Sequence, residues 1–168
     1  MIEDENSDAL HSFTARFTDM RLLHVEKIGR QYFQVLPELK ELMDKTRKNL
    51  RREPFSAGLF LGELKGKVFR PSVVLIDLIG RASEHWVMVD EKAEWLFLCG
   101  RDIFAKSVVK TTVTSGLAIV RSRKGEVLGY GKVTGKLKDG DKVFLRNMLD
   151  RGDFLRREMG KKRGKGKH

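Results

Sequence analysis

The chain has one cysteine in 168 residues, Cys99, and a single thiol excludes both an internal disulfide and a multi-thiolate zinc site. That usage fits a reducing, intracellular compartment. Long apolar runs are missing as well: the run from Ser72 to Ile79 is broken by Asp77 and is far short of the roughly 20 residues a bilayer span needs, so no membrane helix is expected. The opening "MIEDENSDAL" is acidic and polar, without the basic and apolar regions of a secretory signal. The four histidines (His11, His24, His85 and His168) follow no ligand or triad spacing, and each reads as a surface or partly buried residue rather than a base or a metal ligand. No metal or other cofactor is expected. Aromatics are only 8% of the chain, and Trp86, Trp95 and Phe97 alternate as core residues do, which leaves Tyr130 as a weak candidate for stacking on a base.

Basic charge is plentiful and unevenly placed. Residues 1–90 carry 14 Lys/Arg and 14 Asp/Glu, whereas residues 91–168 carry 20 and 9, so the second half holds the whole net charge of +11. Such asymmetry suggests that one domain meets a polyanion while the other has a different task. Nucleic acid is the commonest such partner; an acidic protein or an anionic membrane is the less common one.

Hydrophobic periodicity gives an outline of the fold. Leu10, Phe13 and Phe17 lie at helical spacing behind Ser7 and Asp8 as N-cap candidates. Residues 21–26 and 31–36 read as a hairpin around Gly29-Arg30. Pro37 stands where a helix begins, and Leu39, Leu42, Met43, Thr46 and Leu50 form a stripe behind it. A strand is expected over 57–64, with a turn at 65–67; the apolar stretch 73–79 fits either helix or strand. After "GRASEH", strands are expected at 86–89, 95–98, 108–113, 117–121, 126–133 and 142–145, punctuated by glycine, as in a small barrel or sandwich. "GYGKVTG" has the wrong spacing and no following helix for a phosphate loop, and its glycines fit a strand passing close to its neighbours.

The chemistry-bearing residues that remain are basic. Cys99 is expected to pack as a small hydrophobe, and Asp77, an acid among apolar neighbours, is expected to cap or to hydrogen-bond. No catalytic constellation is evident. Arg101, Lys106 and Lys110 cluster near a turn, Arg121, Arg123 and Lys124 lie at a hairpin tip, and Arg151, Arg156, Arg157, Lys161, Lys162 and Arg163 gather near the end. Each cluster alone also fits a solvated face. "GDFLRRE" reads as a short helix that buries Phe154 and Leu155, which would fix Arg156 and Arg157 to the fold, where guanidiniums can grip phosphates bidentately. Recognition of backbone and shape is expected over a base code.

"VDEKAEWLFLCGRDIFAKSVV", "SGLAIVRSRKGEVLGYGKV" and "VFLRNMLDRGDFLRRE" together resemble the PUA domain, a small RNA-binding pseudo-barrel, over residues 84–159. With "SAGLFLGELKGKVFRPSVVLIDLIG" directly before it, the chain resembles the Nip-seven family of ribosome-biogenesis factors, and its compactness and basic end favour the archaeal members. The resemblance implies an α+β architecture: a small N-terminal α/β domain with an antiparallel sheet at 1–83, used for contacts with pre-ribosomal assembly proteins, then a PUA β pseudo-barrel at 84–159 and a flexible basic tail at 160–168. It further implies a non-enzymatic factor that binds ribosomal RNA, with U-rich single strands as an option, during large-subunit maturation. The expected location is the cytoplasm, or the nucleolus in a eukaryote. The RNA-binding role is placed on Arg101, Lys106, Lys110, Arg151, Arg156, Arg157, Lys161 and Lys162. Two rival readings are an adaptor whose basic end docks an acidic partner, and an RNA-modifying enzyme, which the lack of a catalytic motif in residues 1–83 disfavours.

Overall fold

Apolar periodicity divides the chain into two sets of elements, and in the computed structural model, which describes residues 8–153 and 155–157, these form two compact units, Met1–Ala82 and Ser83–His168. The first contains α1 (Asp8–Thr14), β1 (Val25–Ile28), β2 (Gln31–Gln34), α2 (Pro37–Leu50), β3 (Leu59–Lys65), β4 (Val68–Pro71) and α3 (Val73–Ala82). Its four strands form an antiparallel sheet in sequence order. The expected hairpin is present, with Gly29 at φ 60 in its turn. Phe13 and Phe17 stack at 5.3 Å between ring centroids, Phe13 meets Phe69 at the same distance, and Tyr32 meets Phe69 edge-on at 5.5 Å. Ile28, Phe33, Val35 and Met43 make a separate buried cluster.

Pro37 opens α2, as a residue without an N–H can at no cost to the helix. Of the stripe behind it only Met43 is buried, while Leu42 and Leu50 are exposed. The ambiguous stretch 73–79 is helix: the Ser72 hydroxyl accepts the Leu75 N–H at 3.1 Å, and Leu75, Ile76, Ile79 and Gly80 are buried at helical intervals.

The second unit contains β5 (Trp86–Val89), α4 (Glu91–Leu98), β6 (Ile103–Phe104), a 3-10 turn (Ala105–Ser107), β7 (Val108–Thr111), β8 (Gly116–Arg121), β9 (Val127–Val133) and β10 (Val143–Asp150). The strands run β6-β10-β9-β8-β5-β7, antiparallel except for β5 beside β8, and form a nearly closed barrel. Val87, Val89, Phe97, Ile103, Ala118, Val120, Leu128, Phe144 and Leu145 fill its interior. The glycines of "GYGKVTG" lie on β9 and beyond, where a Cβ on Gly131 would come within 2.1 Å of Leu145 Cδ2 and 2.4 Å of the Arg146 carbonyl. Close strand contact accounts for them.

The segment 95–98 is helix, not strand. Asp90 Oδ1 accepts the Ala93 N–H at 2.8 Å, and Glu91 and Glu94 sit in the first turn, where the helix dipole favours acids. Ala93 and Phe97, four residues apart, are buried, and Trp95 is 66% exposed, so the alternation expected of Trp86, Trp95 and Phe97 is absent. Cys99 is exposed rather than packed, and Tyr130 is buried rather than available for stacking.

Candidate nucleic-acid interface

The end of α4 builds the most developed polar site of the second unit. The Gly100 N–H donates to the Phe97 carbonyl at 2.8 Å and the Arg101 N–H to the Leu96 carbonyl at 3.0 Å, a Schellman ending that requires the left-handed φ of 86 at Gly100. Two side chains from far along the chain close the same helix end. Asn147 Nδ2 donates to the Phe97 carbonyl at 2.9 Å, and Arg156 Nη1 donates to the Leu98 carbonyl at 2.5 Å.

Asp150, the last residue of β10, is 1% exposed and receives four hydrogen bonds. The Gly152 N–H reaches its Oδ1 at 2.8 Å, Asn147 Nδ2 its Oδ2 at 3.1 Å, and Arg156 spans both oxygens, with Nη1 at 2.9 Å and Nη2 at 2.7 Å. Donating hydrogen bonds to the Asp150 carboxylate raises the pKa of Arg156 above its ordinary value, against the opposing effect of burial. The turn after β10 fits tightly: a Cβ on Gly152 would lie 2.1 Å from the Leu98 carbonyl.

Beside this clamp lies a groove of about 550 Å³ lined by Leu96, Gly100, Arg101, Asp102, Phe104 and Val143. Phe104, on β6, is paired with Val143 of β10 and is 42% exposed. The Asn147 N–H holds Asp102 Oδ1 at 2.9 Å and so fixes the rim. Arg101 is exposed, and none of the ion pairs between described residues involves it. An exposed ring and a guanidinium that no described acid pairs with, lining one groove, offer a base a face to stack on and its phosphate a cation.

The other basic residues expected at the site are differently placed. Lys106 Nζ is 2.7 Å from Asp141 Oδ1, and that contact lowers the Asp141 pKa from 3.8. Lys110, on β7, stands 5.9 Å from the centre of the Trp86 ring, which Arg121 of β8 also approaches at 5.4 Å. Arg121 donates from Nη2 to the Ser83 carbonyl at 3.0 Å, and burial lowers its pKa. Arg151 is exposed just past β10, and Arg157 Nε is 2.7 Å from Asp153 Oδ2. Residues 153 and 155–157 are helical, with Leu155 65% exposed rather than buried; Phe154, Lys161, Lys162 and Arg163 lie outside the described residues. The fold therefore groups Arg101 with the Asp150–Arg156 clamp, engages Lys106 with Asp141 and Lys110 with the Trp86 ring, and commits the fork of Arg156 to an internal carboxylate.

Phe104, Asn147 and Asp150 were not anticipated as parts of a site, nor was the exposed pair Lys132 and Arg146 on neighbouring strands. The lone ring of "DIFAK", set among polar residues next to a basic cluster, was the available signal for Phe104.

Comparison with known proteins agrees with this architecture. Residues 85–159 match the family model described as the UPF0113 PUA domain. A UPF0113 protein of Archaeoglobus fulgidus is 38% identical over 112 residues, covering 62% of this chain and 64% of the relative, and one of Aeropyrum pernix is 34% identical over 107 residues, covering 61% and 58%. The chain thus spans somewhat less than two thirds of the length of these relatives. A conserved PUA domain protein from Thermoplasma acidophilum has the same fold, with a TM-score of 0.59 at 19% identity, over 92% of this chain and 96% of that one. The barrel order, the closed end of α4 and the match over residues 85–159 agree that the second unit is similar to the UPF0113 PUA domain.

Proposed function

We propose that the chain is a non-catalytic RNA-binding factor that grips single-stranded RNA at the groove between α4, β6 and β10 and serves in maturation of the large ribosomal subunit, as the resemblance to the Nip-seven family implies. The observation that carries the RNA reading is the exposed Phe104 next to Arg101, whose charge no described acid neutralises, in a half-chain with 20 basic and 9 acidic residues. A PUA domain points to the same ligand class. The first unit would recruit assembly proteins. In support, Leu36, Leu42, Leu50 and Phe55 are exposed there, Phe55 to 93%, and offer apolar side chains to a partner. The proposed location is the cytoplasm.

Salt-titrated binding of U-rich and ribosomal RNA fragments to the full chain tests the reading. Each phosphate contact on a single strand should contribute about −0.7 to the slope of log affinity against log salt. Replacing Arg101 with Gln and Phe104 with Ala should weaken binding. Binding that is insensitive to salt, or to both substitutions, would remove the groove from consideration. Partners that survive RNase treatment in a pull-down, without any RNA bound, would favour an adaptor that docks an acidic protein.

A further inference from the structure

Lys132 and Arg146 stand directly opposite each other on β9 and β10, and both are exposed. Cross-strand partners place their Cβ atoms about 4.5–5.5 Å apart, and like charges at that separation repel. Neither cation takes part in the ion pairs between described residues of this unit, which are Lys106–Asp141, Arg156–Asp150, Arg156–Asp153 and Arg157–Asp153. On the β8 side Lys132 faces Leu117, which is uncharged, and on the β6 side the strand pairing that ends at Leu145 and Ile103 leads to Asp102, whose Oδ1 is held by the Asn147 N–H. The backbone holding the two cations is well fixed. Gly131, just before Lys132, lies against Leu145 and the Arg146 carbonyl, so β9 and β10 cannot slide at this point.

The pair is also tied to the groove. Arg146 directly precedes Asn147, whose N–H holds Asp102 and whose side chain caps α4 beside Arg101. The rim of the groove and the two strand cations therefore belong to one rigid piece of the barrel. Two cations on paired strands, one of them a planar fork suited to two phosphate oxygens, form a preorganised anion site. We propose that Lys132 and Arg146 are a second phosphodiester site, on the outer face of β9 and β10, which holds the backbone of a strand whose base occupies the groove at Phe104. This proposal rests on the RNA reading and extends it: it gives the strand a direction, from Arg101 across β10 to β9.

The test uses the full chain and two U-rich single strands, one of about 4 and one of about 16 nucleotides, the range of single-strand site sizes. The double variant Lys132→Gln, Arg146→Gln should lower affinity for the long strand, flatten its salt slope by about 1.4, the worth of two contacts, and leave the short strand unaffected. Thermal melts should show the double variant at least as stable as the wild type, since only a repulsion is removed. Lys132→Glu, which gives Arg146 a carboxylate partner, should weaken binding of the long strand further than Lys132→Gln. An unchanged slope on the long strand, equal losses on both strands, or a Lys132→Glu variant that binds like the wild type would overturn the site, while the groove reading stands as long as Arg101→Gln and Phe104→Ala still weaken both. If neither strand binds the wild-type chain, the RNA reading fails and this site fails with it.

Discussion

Arg156 lays both terminal nitrogens of its guanidinium on the two carboxylate oxygens of Asp150, at 2.9 and 2.7 Å, and with the first of them also holds the carbonyl of Leu98, 58 residues earlier. The end of β10, the turn after it and the C-terminus of α4 are thereby fastened by one side chain. Arg156→Ala should destabilise the second unit by about 1–3 kcal/mol, because it strips a buried carboxylate of two of its four hydrogen bonds; the arginine is 38% exposed, so water recovers part of the loss. Arg156→Lys should recover only a fraction, since an ammonium cannot span both oxygens. Urea unfolding followed by circular dichroism measures both, and a neutral Arg156→Ala would show that the clamp contributes nothing. A drop in RNA affinity in this variant has to be judged against that lost stability.

The ammonium of Lys106 is occupied in a different way. It pairs with Asp141 at 2.7 Å on an exposed surface, so RNA must compete with a neighbouring carboxylate for it. Asp141→Asn should release Lys106 and raise RNA affinity if Lys106 touches phosphate; unchanged affinity would take Lys106 out of the interface. The pair also has a pH signature. Lys106 holds the Asp141 carboxyl below its ordinary 3.8, so its contribution to stability is complete above that value and is lost as pH falls through the lowered one. In a carboxyl NMR titration, Lys106→Gln should move the Asp141 midpoint upward, and an unmoved midpoint would refute the pairing.

Gly131 separates packing from backbone strain. A Cβ there would lie 2.1 Å from Leu145 Cδ2 and 2.4 Å from the Arg146 carbonyl, and the second of these, being backbone, cannot swing aside. Gly131→Ala should cost about 1–3 kcal/mol, the usual range for overpacking a filled interior, and should disturb the placement of Arg146 as well. Gly125 provides the contrast: it lies at φ 83 with nothing within 4 Å of a Cβ, so Gly125→Ala should cost about 1 kcal/mol of conformational strain alone. Parallel melts of the two variants give the comparison, and equal losses would mean that contact between β9 and β10 is not what demands glycine.

Much of the fold could be read from short apolar runs between glycine turns, as for β8 and β9, and from Pro37 ahead of α2. α4 was missed because "WLFLC" is short and apolar throughout, so periodicity cannot separate strand from helix, and the deciding signal lay upstream in Asp90, Glu91 and Glu94. The stripe on α2 overstated burial, because a helix with little packed against it leaves Leu42 and Leu50 in solvent. At the site, sequence showed where charge accumulates but not where it is spent. Arg156 and Arg101 look alike in a string of letters, yet one is neutralised by a carboxylate that a turn and a helix end bring to it, and the other is left at the rim of a groove. Long-range pairing of this kind depends on the register of β10 against β9, which no local pattern encodes.

Cys99 provides a test of the groove that needs no introduced label site. It is exposed at the C-cap of α4, immediately before Gly100 and Arg101, and it is the only thiol of the chain, so a maleimide modifies one position next to the groove. A strand lying across Gly100, Arg101 and Phe104 would cover that thiol. Alkylation of Cys99 should therefore slow severalfold when saturating single-stranded RNA is present, recover when salt displaces the strand, and be unaffected by RNA in the Arg101→Gln, Phe104→Ala variant. The rate follows directly from mass spectrometry of quenched time points. Full reactivity of Cys99 in a chain shown by titration to be saturated with RNA would place the bound strand elsewhere on the molecule, and the groove between α4, β6 and β10 would no longer be its site.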